Sequence, residues 1–147
     1  MAAMHACGPY KLDSVKVEAF LNYSTNQPSA SIRAPTAPQA CWALEQHMDE
    51  VATAIDLDTV ELRRLTLIAE GDHGPTGQVF DRIGAKEALE AAVDLIGYDQ
   101  YLRGELPEDE AIGISCGWWP SFAVASGAYV KLNADGSGTI ITGAQEN

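Results

Sequence analysis

Basic charge is scarce in this chain: nine lysines and arginines stand against 21 aspartates and glutamates, leaving a net charge of −12 over 147 residues. Phosphate neutralisation needs clustered Lys and Arg, so a nucleic-acid partner is excluded, and an anionic membrane surface is equally disfavoured. Cysteine is scarce too. Cys7, Cys41 and Cys116 stand far apart, with no C-x-x-C and no zinc-site histidine spacing. That pattern fits free thiols in a reducing compartment, and it cannot frame a zinc site or an iron–sulfur cluster. No apolar run approaches the roughly 18 residues of a membrane span. The opening MAAMHACGPY lacks the basic start and apolar core of a signal peptide. The cytoplasm is the expected compartment. Also missing are G-x-S-x-G, H-E-x-x-H, the P-loop and G-x-G-x-x-G, which removes support for hydrolase, zincin, P-loop and Rossmann classes. His5, His47 and His73 fall in separate elements without metal-like spacing, so no metal ligand is assigned.

What is present reads as α+β. Residues 13–23 alternate, with Val15, Val17, Ala19, Leu21 and Tyr23 on one side, and predict a half-buried strand. From Ala40 the period becomes helical through Leu44, Met48, Val51 and Ile55, with His47 part-buried on the same helix. A second helix follows Leu57, with Asp58 and Glu61 as a capping box and Leu62, Leu65 and Ile68 as its apolar face. A third spans 85–96 and stops at Gly97. Beyond the charged stretch at 102–110, β grammar takes over: 111–119, 127–132, a turn at 133–136 and 139–142. Trp118 and Trp119, as neighbours on a strand, should face opposite sides. Glu18, Glu45, Glu61 and Glu90 read as charges on exposed faces, so none is promoted to catalytic base.

Between the first strand and first helix lies SASIRAPTAPQ, a loop with an arginine set among small residues. Pro35 and Pro38 fix φ and remove donors, which predicts irregular backbone. Such a loop lets a ligand approach the main chain closely while Arg33 offers five fixed donors to an anion. An ordinary strand-to-helix connection with a surface arginine is the other reading. Gln39 is either a modest helix cap or a brace for this loop.

The run from Arg33 to Glu50 resembles the R-[AG]-x-[GA]-x-P-Q loop and A-x-E-x-x-M-D-E helix of the xanthine dehydrogenase / aldehyde oxidase family's molybdopterin-binding large subunits. Further pieces agree in order: Gly8-Pro9-Tyr10, then Asp58 to Arg64 with Glu70-Gly71-Asp72, then Gly113 to Trp119, and finally Asn133 to Asn147. The resemblance implies that Ile32, Arg33 and Ala34 contact the molybdenum–molybdopterin cofactor, in bacterial members usually the cytosine dinucleotide form. Gln39 would brace that loop, and Glu146 and Asn147 would open a further cofactor-cradling run. Ala34 stands where carbon monoxide dehydrogenases carry a copper-binding cysteine, and Pro35 where purine oxidisers place an aromatic, which points away from both activities.

By the same resemblance, residues 1–103 correspond to the C-terminal part of one molybdopterin-binding domain, 104–110 to a linker, and 111–147 to the truncated start of the next. The implied activity is hydroxylation of an aldehyde or N-heterocycle with water-derived oxygen. Electrons would leave through FAD-binding and [2Fe–2S] iron–sulfur subunits. The family's catalytic glutamate finds no counterpart here, so the chain alone is expected to be inactive and its severed sheet unstable. A non-catalytic interaction module built on that scaffold is the alternative.

Overall fold

The computed structural model describes residues 2–27, 32–74, 77–119 and 125–143. Five helices and one hairpin appear among them: α1 (Ala2–His5), α2 (Ala37–Ala54), α3 (Thr59–Thr66), α4 (Ala85–Ile96), α5 (Tyr98–Leu102), β1 (Ala128–Leu132) and β2 (Gly138–Thr142). The α+β reading holds at this level.

Local chemistry explains the helix ends. Asp58 caps α3, its Oδ1 accepting the N–H groups of Val60 and Glu61, both at 2.9 Å. Glu61 does not complete the expected capping box; its carboxylate reaches Arg64 at 3.4 Å instead. Gly97 ends α4 at φ 71°, a left-handed conformation that costs glycine little, and α5 starts directly after it. Tyr98 then folds back, donating to Asp58 Oδ2 at 2.7 Å, so a single carboxylate caps α3 and anchors α5.

The core gathers Tyr10, Val60, Leu67, Leu89, Val93 and Tyr98, with Leu44, Met48, Ile112 and Ile114 packed against it. Gly8-Pro9-Tyr10 enters that core by pairing with the residues after α3: Lys11 N–H donates to Thr66 O at 2.7 Å and Ile68 N–H to Pro9 O at 2.9 Å. β1 and β2 pair antiparallel from Ala128–Thr142 to Leu132–Gly138, and Gly136 takes φ 83° in the connecting turn. Every residue of both strands is exposed.

Several expectations are corrected. Residues 13–23 find no ladder partner among the described residues, and Leu21 and Tyr23 are fully exposed. Alternation shows which face a strand would bury, but a strand forms only where a neighbour takes its N–H and C=O groups. The segment 111–119 likewise joins no ladder among the described residues, although its exposure alternates residue by residue as the pattern predicts. α2 starts at Ala37, three residues before the expected Ala40, and takes Pro38 into its first turn. A proline there is tolerated because its missing N–H would have had no helical acceptor. Leu65 is 65% exposed, and the third inward position of α3 belongs to Arg63 at 0%.

Candidate functional site

The Arg33 loop is a tight bend at the head of α2. Ala37 N–H donates to Ala34 O at 3.1 Å, and Ala34 and Thr36 both adopt left-handed φ, 56° and 63°, on either side of Pro35. Each such residue costs about 1–3 kcal/mol, and strain of this kind concentrates where a loop must hold a defined shape. Ile32 and Arg33 are exposed and Ala34 is half-buried. Thr36 occupies the N-cap position without capping: its hydroxyl donates to Pro35 O at 2.6 Å, and the first turn carries no acidic residue. Among the described residues, the N-terminus of this 18-residue helix thus has no side-chain cap and no acidic residue in its first turn, a setting that favours an anion. Gln39 lies exposed in the first turn of α2, inside the helix rather than at its cap. Ile32, Arg33, Ala34 and Gln39 are thus gathered at one helix end; Glu146 and Asn147 lie outside the described residues.

Two turns further along α2 sits a buried polar cluster that the sequence reading missed. Arg63 is fully buried and Glu45 is 5% exposed. Arg63 Nε and Nη2 reach Glu45 Oε2 at 3.1 and 2.9 Å, and Nη1 reaches Asp49 Oδ1 at 2.9 Å and Thr59 O at 3.0 Å. The Thr59 hydroxyl also bonds to Asp49. Glu45 Oε1 accepts the Tyr10 hydroxyl at 2.6 Å. Burial opposes the charge on Arg63, but the bonds to Asp49 and Glu45 outweigh it and hold the guanidinium charged. Burial, and then the Glu45 carboxylate, push the Tyr10 hydroxyl well above the ordinary phenol range.

Glu45 is therefore not the exposed-face charge expected of it. A signal existed: Cys41, Glu45, Met48 and Ala52 follow the inward spacing of α2, and Val60, Arg63 and Leu67 follow that of α3. Two charges on facing apolar stripes imply each other. His47 is corrected as well; its side chain is exposed, 3.6 Å from Glu50. His5 is instead the buried histidine, stacked on Trp119 with ring centroids 5.3 Å apart, while Trp118 meets Phe80 edge-on.

Residues 1–67 match the family described as molybdopterin cofactor-binding domain. The chain is 32% identical over 134 residues to the xanthine dehydrogenase molybdenum-binding subunit of Escherichia coli O157:H7, covering 83% of this chain and 18% of that protein. It is 34% identical over 104 residues to the nicotinate dehydrogenase large molybdopterin subunit of Eubacterium barkeri, covering 67% of this chain and 24% of the relative. To the aldehyde oxidoreductase of Megalodesulfovibrio gigas it is 31% identical over 119 residues, 77% of this chain and 13% of that one. The chain thus spans less than a quarter of the length of these curated relatives. The domain match and the relatives together place the chain in the xanthine dehydrogenase / aldehyde oxidase family, in its molybdopterin-binding large subunit.

Proposed function

We propose that this chain forms a cofactor-holding part of a molybdenum hydroxylase large subunit, an oxidoreductase. The observation that carries the reading is the Arg33 bend: two left-handed residues, small side chains and an exposed arginine at an uncapped helix N-terminus. That donor set fits an anionic pterin dithiolene with an oxo-bearing metal, because rigid N–H groups and a guanidinium stabilise fixed negative charge. The main chain of Ile32 and Ala34 and the side chain of Arg33 would hold the group, with Gln39 bracing the bend; Glu146 and Asn147 would extend the cradle. When bound, the molybdenum cofactor supplies the two-electron oxygen-transfer chemistry. This chain's contribution is to bind and orient it.

The finer points belong to the same reading. The cofactor is the cytosine dinucleotide form, the substrate a small aldehyde or N-heterocycle, and electrons pass to [2Fe–2S] and FAD-binding partners in the cytoplasm. Residues 1–103 close one cofactor domain, 104–110 link, and 111–147 open the next. No helix among the described residues is long and apolar enough to cross a membrane. We assign no catalytic base to this chain, so the 147 residues alone should turn over nothing. The test is expression of the complete subunit with its neighbours and an assay of dye reduction against aldehydes and N-heterocycles. Substrate-dependent reduction supports the reading. A purified protein without molybdenum, reducing no acceptor, refutes it.

A further inference from the structure

Among the described residues, side chains rather than a strand hold the main chain of Cys116. Glu45 Oε2 accepts the Cys116 N–H at 2.7 Å, and the Cys41 thiol donates to Cys116 O at 3.5 Å. Cys41 and Glu45 stand four apart on α2, so one turn of one face presents an acceptor and a donor to a single residue. In a sheet, a residue of the adjacent strand would take both groups. The Glu45 carboxylate can do this only because Arg63 and Tyr10 fix it in place. The side chains of Ile112, Ile114 and Cys116 then lie on the core, and Trp118 and Trp119 follow immediately. With Phe80 and Arg82 these tryptophans line a cleft of about 480 Å³.

We infer that Cys41 and Glu45 form a latch that stands in for a strand neighbour, with Glu45 as the positioning residue for the 112–118 segment and the tryptophan wall beyond it. The latch couples α2, which carries the Arg33 bend at its head, to that wall. It goes beyond the cofactor reading and rests on none of it: its evidence is the contacts of this chain alone.

Cys116 is a built-in reporter. Its thiol is half-buried, and burial followed by the Glu45 charge pushes its pKa up, so it should alkylate slowly while latched. Cys7, buried at the end of α1, serves as the control for general unfolding. The experiment is N-ethylmaleimide labelling of the complete native subunit, with the peptide of each of these cysteines followed by mass spectrometry. Glu45→Gln should raise the Cys116 rate about tenfold relative to that of Cys7, as expected for a lost charge-assisted hydrogen bond. Cys41→Ser, which keeps a donor, should label Cys116 as the parent does, whereas Cys41→Ala should speed it. Should Glu45→Gln fail to fold, the Cys41 pair decides alone. Cys7 and Cys116 accelerating together, or Cys116 keeping its parent rate in Glu45→Gln or Cys41→Ala, would overturn the latch.

Discussion

Arg63 Nη2 lies 2.9 Å from Glu45 Oε2, with the arginine side chain fully buried and the glutamate side chain 6% exposed. The two residues belong to different motif pieces, the A-x-E-x-x-M-D-E helix and the E-L-R-R helix. Their pairing gives those pieces a physical meaning: they hold α2 against α3, and so fix the helix whose head carries the Arg33 bend. Removing one member leaves a buried charge without its partner, which costs about 3–5 kcal/mol. Arg63→Met and Glu45→Leu should each lower the urea midpoint severely. The double variant Glu45→Leu/Arg63→Met should lose clearly less than the sum, as a double-mutant cycle in urea would show. Additive losses would mean that the pair is not coupled.

Asp58 serves two helices with two oxygens. Asp58→Ala removes the cap on α3 and the Tyr98 anchor, for an expected loss of about 1–2 kcal/mol from the cap and about 1 kcal/mol from the hydrogen bond. Tyr98→Phe should show only the smaller of these losses in denaturant unfolding. Equal losses in the two variants would contradict this division.

Acid should destabilise the chain through its surface pairs. Lys11, at 2.6 Å, and then the Ala69 N–H hold the Asp72 carboxyl below its ordinary range, and Arg64 does the same for Glu90. A carboxylate with a depressed folded pKa stabilises above its unfolded pKa, about 4, and loses that contribution as pH falls through the folded value. Lys11→Met should therefore flatten the decline of urea midpoints between about pH 5 and pH 2, and added salt should mimic it because the pair is exposed. At the alkaline end the sign reverses. Burial raises the Cys41 and Cys116 thiols, so their contribution is present below the ordinary thiol pKa and is lost as pH rises through the folded values. An unchanged acid slope in Lys11→Met would count against this assignment.

How much was legible depended on how local the chemistry is. Asp58 and Gly97 were readable because a cap is satisfied within three or four residues of itself. The hairpin turn was readable because Gly136 needs positive φ and the alternation around it sets the strands. The arginine loop stood out through its prolines, but not the left-handed Ala34 and Thr36, since neither is glycine and nothing in their side chains asks for that φ. Glu45 was misread and Arg63 missed because whether a charge is buried depends on a partner 18 residues away. The expected strand at 13–23 failed for a related reason: its pattern names a face, and the neighbour that would make it a strand is not among the described residues.

The central claim is that the Arg33 bend holds the molybdenum cofactor. Its most direct test is the molybdenum content, by mass spectrometry of the metal, of the complete purified subunit as parent, Arg33→Lys and Arg33→Ala. Arg33 is exposed, and circular dichroism would verify that both variants fold. Losing charge-assisted bonds to a dianion costs about 1.5–3 kcal/mol, so Arg33→Ala should retain roughly a tenth of the parent's metal or less under limiting cofactor, with Arg33→Lys between. Parent and Arg33→Ala protein carrying equal molybdenum, or a parent carrying none, would contradict the account.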